Sequence, residues 1–146
     1  MIGLLQRVKW AWVEIDGRRI AEIKTGMMVL VGVERTDTVL QAQKLAERLL
    51  AYRCFADLND KMNLNVQNVQ GEILLVPQFT LPADTSSGLR PSFTPAAPPD
   101  LARELFGILA DQVKILYRQP QIGEFGANMQ VGLLNDGPVT FWLQVK

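Results

Sequence analysis

The stretch Leu133-Leu134-Asn135-Asp136-Gly137-Pro138-Val139-Thr140-Phe141-Trp142-Leu143 constrains this chain most, because it sets a turn signal inside what otherwise reads as strand. Met129, Val131 and Leu133 before it, and Val139, Phe141 and Leu143 after it, alternate with the period of a half-buried strand. Asn-Asp-Gly tolerates positive φ. Pro138 lacks a backbone donor and fixes its own φ, so the carbonyls of Gly137 and Pro138 must take defined directions. Spacing alone predicts a tight hairpin turn between two strands.

A chain of 146 residues suffices for one domain, 1–146, with a substantial core and no staple. Lys plus Arg (15) equals Asp plus Glu (15), so no global field attracts nucleic acid, and any RNA contact must come from a local patch. The single Cys54 cannot form an internal disulfide. Arg7 and Lys9 interrupt the only apolar run near the N-terminus, which does not have a signal peptide's order of features. The expected compartment is cytoplasmic. No stretch approaches the roughly 20 apolar residues that span a bilayer, so no membrane association is expected.

The chain has no histidine. Ser-His and Cys-His nucleophile pairs are therefore excluded, as is an imidazole general base. Without histidine, and with one cysteine, no zinc site is expected, and the carboxylates show no metal-loop spacing. Neither metal nor cofactor is called for. An enzyme built from these residues must use backbone dipoles, hydroxyls, a carboxylate or lysine, or a group carried by the substrate.

The rest of the chain predicts an α+β fold, a β-rich, barrel-like mixed sheet with two amphipathic helices packed on it. Ile2 to Val8 reads as a strand, and Ala11, Val13 and Ile15 alternate toward Asp16-Gly17, a hairpin signal before Arg18 to Ile23. Met27 to Val33 is apolar enough for a central strand. Val39, Ala42, Leu45, Ala46, Leu49 and Leu50 have helical spacing, with Thr36 or Asp37 as the expected N-cap. Arg53 to Ala56 predicts a short strand, Lys61 to Asn65 a strand edge or loop, and Glu72 to Val76 a buried strand. Pro77 cannot donate to a ladder, so Pro77-Gln78-Phe79-Thr80-Leu81 should leave the sheet or lie at its edge. Residues 82–99 read as a long functional loop. Pro98-Pro99-Asp100 start the second helix, and Gln121 to Phe125 and Met129 to Leu134 supply the last strands.

Three places, Gln78-Phe79-Thr80-Leu81, Asn135-Asp136-Gly137-Pro138-Val139-Thr140 and Gln6-Arg7-Val8, together resemble the D-aminoacyl-tRNA deacylase family. Lys61-Met62-Asn63-Leu64-Asn65, Arg90-Pro91-Ser92-Phe93 and Met129-Gln130-Val131 stand in that family's order, so the resemblance covers the whole chain. It implies a homodimeric hydrolase that removes D-amino acids or glycine from the terminal adenosine of tRNA and spares L-residues. Each subunit's cis Gly-Pro pair, here Gly137 and Pro138, would reach into the partner's pocket. Gln78, Phe79 and Thr80 match the pocket segment, Arg7 the residue that orients the Gly-Pro loop, and Met129 a lining position. Pro77 stands where the family commonly has serine, so a hydroxyl donor is lost, and the ring restricts Val76. Thr80 is a candidate nucleophile, but without a nearby base a positioning or oxyanion-donor role is preferred.

Two carbonyls held rigidly can accept an amino group and leave no volume for an L side chain, which selects by exclusion. The ribose hydroxyl beside the ester lessens the need for acid-base equipment in the protein. That 2′-hydroxyl makes RNA, not DNA, the expected nucleic acid. The competing readings are the same hydrolase with relaxed chirality, acting on L-Ala-tRNA, and a dimer that binds tRNA ends without catalysis.

Overall fold

The computed structural model describes residues 1–146, and its architecture is the expected mixed sheet carrying two helices. The chain opens with β1 (Ile2–Ile15), β2 (Arg18–Ile23) and β3 (Gly26–Gly32), followed by α1 (Val39–Ala51). A small hairpin of β4 (Phe55–Ala56) and β5 (Met62–Leu64) precedes β6 (Glu72–Pro77). Then come α2 (Pro99–Leu116), β7 (Gln121–Ile122) and β8 (Gln130–Gln144). The sheet order is β2-β1-β3-β6-β7, with β8 on the other flank of β1. Pairs with β1 are antiparallel, while β3–β6 and β6–β7 are parallel.

β1 organises the molecule. The two strands expected at Ile2–Val8 and Ala11–Ile15 are one, because β1 pairs β3 along Ile2–Val8, β2 along Ala11–Ile15, and β8 along both halves. A register shift between Val8 and Trp10 rotates the strand so that Ala11 and Val13 rejoin Val8 on one face. The β1–β2 turn forms where expected, with Asp16 and Gly17 both at positive φ (50° and 76°).

Alternation along β3 and β6 separates two cores. Met27, Val29, Val31, Ile73 and Leu75 face α1 and α2 in a cluster of 24 buried residues. Met28, Leu74 and Val76 face the opposite side, where Val8, Ala11, Val13, Ala21 and Ile23 complete the barrel-like interior. Pro99 occupies the first turn of α2, as its missing donor and fixed φ favour.

The first helix starts later than expected. Thr38 is its N-cap, accepting from Leu40 N at 3.3 Å, while the Gln41 side chain accepts from Thr38 N at 2.9 Å. Asp37 is drawn inward instead. Its carboxylate accepts from the Met1 ammonium at 2.6 Å and from Glu34 N at 2.6 Å. Glu34 also takes the Met1 ammonium, at 2.8 Å, and Gln144 Nε2, also at 2.8 Å. Desolvation pushes the Glu34 carboxyl up, but the hydrogen bonds from Gln144 and Met1 outweigh it and hold the group below the usual carboxylate range. A depressed folded value means stability present above the ordinary carboxylate pKa and lost as pH falls through the folded one. The melting temperature of the wild type should therefore exceed that of Glu34→Gln at neutral pH, with the gap closing below about pH 4. A gap that widens on acidification would contradict this ion pair's role.

Candidate active site

Pro77 ends β6, and the chain leaves the sheet there, as its missing donor requires. Gln78 N still donates to Val31 O at 2.7 Å, after which Leu81 N bonds Gln78 O and Ala83 N bonds Thr80 O in successive turns. Gly32 permits this exit, since a Cβ there would lie 2.8 Å from Leu81 Cβ and 2.9 Å from Pro82 Cδ. The Gln78 side-chain amide donates to Thr80 Oγ1. Thr80 is exposed and accepts that bond, leaving its own proton free to be donated.

Pro77, Gln78 and Phe79 meet Met129 around a cavity of about 260 Å³, closed by Val76, Gly126, Ala127 and Val131. None of these lining residues is ionisable. Gly123 lets Met129 and Pro77 pack closely behind the cavity, because a Cβ there would come within 2.9 Å of Met129 Sδ and 3.3 Å of Pro77 Cδ. Phe79 is 60% exposed and tilts against Phe93, with ring centroids 5.3 Å apart. Phe93 arrives there because the long loop docks back on the end of β3, with Ala97 N bonding Val33 O and Arg35 N bonding Pro95 O. Gly126, Ala127, Val131 and Gly123 were not among the sequence candidates. The glycines of Gly123-Glu124-Phe125-Gly126 were the available signal for a close approach.

The Gly-Pro stretch is not a hairpin turn. β8 continues through it on the same ladder, with Asn135 opposite Val8 and Thr140 opposite Gln6, so residues 136–139 bulge out opposite Arg7. The long β1 strand offers β8 a partner on both sides of the bulge, and that tertiary pairing overrides the local turn preference. Arg7 holds the corner. Its Nε donates to Asp136 O at 3.1 Å and lies 3.4 Å from Asp136 Oδ2, and its Nη1 donates to Cys54 O at 2.8 Å. Lys9 adds a contact to the same carboxylate at 3.5 Å. The Gly137–Pro138 peptide is cis, and both residues are exposed. Cys54 behaves as a core residue, burial pushing its thiol up to about 11 although Arg7 opposes that rise.

Within one chain the candidates fall into two groups. Pro77, Gln78, Phe79, Thr80 and Met129 gather at one place, and Arg7, Gly137 and Pro138 at another, with no hydrogen bond between them. Val131, beside Met129, pairs with Val13, six positions along β1 from Arg7, or roughly 20 Å at the rise of a strand. No group of three or more His, Cys, Asp or Glu is placed to hold a metal.

The model of the D-Tyr-tRNA(Tyr) deacylase family matches residues 4–144. The chain belongs to that family. This deacylase is 58% identical to a D-aminoacyl-tRNA deacylase of Herminiimonas arsenicoxydans, over 100% of this chain and 98% of that protein. It is 56% identical to one of Haemophilus influenzae (strain PittEE), over 99% and 100% of the two chains. The solved structure of the c-Myc DNA Unwinding Element Binding Protein is similar at a TM-score of 0.95 and 36% identity, covering 100% of the deacylase and 99% of that chain. A probable eukaryotic D-amino acid tRNA deacylase shares the fold at a TM-score of 0.87 and 14% identity, covering 99% and 98%. Family membership makes the chain a hydrolase acting on D-aminoacyl-tRNA, as the three sequence motifs implied.

Thr80 stands beside the cavity through Gln78, whose amide hydrogen bond its oxygen already accepts, and no ionisable residue lines that cavity. Activation as a nucleophile needs a proton acceptor beside the hydroxyl, whereas a donor aimed at a developing oxyanion needs only position. Thr80→Ala should lower single-turnover hydrolysis of D-tyrosyl-tRNA by about 100- to 1000-fold, the scale of a lost oxyanion donor, while leaving measurable release. Complete loss of release would restore the nucleophile reading.

Proposed function

We propose that residues 1–146 form one cytoplasmic deacylase domain that works as a homodimer and hydrolyses D-aminoacyl-tRNA and mischarged glycyl-tRNA. The Gly137-Pro138 corner of one subunit gates the Phe79–Met129 cavity of the other. The carrying observation is the Arg7 clamp on an exposed bulge that lines neither of the cavities around Phe79 in its own chain. Two carbonyls fixed there would receive the substrate's amino group and occupy the volume an L side chain needs. Glycine and D-residues fit, and L-alanine does not. Pro77 and Phe79 wall the amino-acid side, Met129 closes the base side, and Gln78 with Thr80 orients the ester toward water or the ribose hydroxyl.

Assembly in this manner suits the surface. β8 pairs only β1, leaving a 15-residue strand with one free edge. Trp10, Leu134 and Trp142 stand exposed at 40%, 48% and 51% near the Gly-Pro corner, a patch that a second copy would cover.

The test is release of amino acid from D-tyrosyl-, glycyl- and L-tyrosyl-tRNA by wild type and Arg7→Ala. The wild type should free the first two and spare the third. Arg7→Ala should lose about 10-fold or more of the D-over-L preference, because the freed corner admits the L side chain. Removing the guanidinium also leaves two carbonyls short of a donor, at a cost of about 1–3 kcal/mol. Unchanged discrimination by Arg7→Ala would remove the clamp from the account, and release of L-alanine from L-alanyl-tRNA, assayed beside glycyl-tRNA, would favour relaxed chirality.

A further inference from the structure

A second and larger cavity, of about 620 Å³, adjoins the candidate site and shares Pro77, Phe79 and Gly126 with it. Its outer wall is built from the loop and the first turns of α2, and it carries Arg35, Arg103, Phe93 and Phe125. The guanidinium of Arg103 lies 4.9 Å over the Phe125 ring. Neither Arg35 nor Arg103 forms an ion pair or donates a side-chain hydrogen bond, although Asp100 stands one turn before Arg103 on the same helix. No carboxylate lines the cavity. In a chain whose charges balance overall, two arginines without acidic partners beside the exposed rings of Phe79 and Phe93 form a local patch of positive charge and aromatic surface.

Resting on the deacylase reading, we propose that this cavity seats the single-stranded RNA that precedes the esterified adenosine. Arg35 and Arg103 take its phosphates, and the exposed ring of Phe93 carries a base. Guanidinium forks match phosphate oxygens, and a single strand offers unstacked bases that lie flat on aromatic rings. Continuity supplies the direction. A nucleotide chain entering the smaller cavity ester-first can pass across Pro77, Phe79 and Gly126, the boundary the two cavities share, into the arginine-lined space. The smaller site then reads the amino acid, while the larger one distinguishes an aminoacyl ester on RNA from a free one.

The experiment compares D-tyrosyl-tRNA with 3′-O-(D-tyrosyl)adenosine as substrates for wild type and the Arg35→Gln/Arg103→Gln double variant. The variant should raise KM for the tRNA about tenfold with kcat unchanged, and leave the adenosine ester untouched. Arg35→Lys/Arg103→Lys should recover part of the loss by restoring charge. The salt dependence of kcat/KM for the tRNA should flatten by about 0.7 in the log–log slope for each phosphate contact removed. Equal losses on both substrates, or no loss on either, would overturn the assignment. If the wild type hydrolyses neither substrate, the deacylase reading fails, and binding of a labelled four-nucleotide RNA decides the site on its own. Weaker binding by the double variant supports it. Equal binding, or equal affinity for the DNA of the same sequence, overturns it.

Discussion

Gly137→Ala should lower kcat/KM for D-tyrosyl-tRNA by at least about 100-fold, because misplacing a positioning group by an ångström costs that much. Gly137 has φ +126°, a conformation L-residues rarely adopt. A Cβ at this position would lie 2.8 Å from Val139 Cγ2 and 3.2 Å from both Val139 N and Arg7 Nη2. Relief of that crowding must rotate the corner or push back the guanidinium that orients it. Either movement redirects the two carbonyls. The same substitution should cost only about 1–3 kcal/mol of stability, since the residue is exposed and the strain is local. An alanine variant with full activity on the D-substrate and intact rejection of L-tyrosyl-tRNA would show that the corner's backbone is not the gate.

Gly26→Ala should have the largest effect on stability. At Gly26 the start of β3 meets the start of β6, and a Cβ would lie 1.9 Å from Glu72 O and 2.6 Å from Glu72 N. Gly71 meets it from the other strand, a Cβ there falling 3.2 Å from Gly26 Cα. Backbone cannot yield as a flexible side chain can, so the parallel β3–β6 ladder must open at its root. That ladder supplies Met27, Val29, Ile73 and Leu75 to the larger core. We expect about 3–4 kcal/mol of destabilisation, or a melting temperature lower by roughly 10 °C for a chain of this length. Gly107→Ala is the matched control. It lies in α2 with open space around its missing side chain, and should stabilise by about 0.5–1 kcal/mol through helix propensity. Equal effects at the two glycines would reject the close-approach explanation.

Features carried by local chemistry were legible in the sequence. Asp16-Gly17 formed its turn, the apolar run from Met27 supplied the central strand β3 (Gly26–Gly32), and Pro99 opened α2. The exit of Gln78 from the sheet followed from the missing donor of Pro77. What failed were local signals opposed by longer-range partners. Asp136 to Val139 bulge out because β1 pairs β8 on both sides of them. Asp37 is not a cap because the Met1 ammonium and Glu34 N bind its carboxylate, leaving the cap to Thr38.

The candidate residues were named by resemblance, but their division into two groups was not visible in the sequence. Periodicity places Arg7 and Met129 on strands without showing that these sites lie far apart along one ladder. The roles of Gly32 and Gly123 were hidden for a related reason. Each makes room for a segment distant in sequence, and a glycine beside a strand carries no mark of what approaches it.

The central claim is that backbone oxygens at the Gly137-Pro138 corner of one subunit select handedness in the partner's cavity. The most direct measurement is a crystal structure of the protein with a non-hydrolysable D-aminoacyl adenosine analogue. The account predicts the analogue's amino group within hydrogen-bond distance of the Gly137 and Pro138 carbonyls of the partner subunit, its ester beside Gln78 and Thr80. An analogue bound beside Phe79 while that corner faces solvent would contradict it.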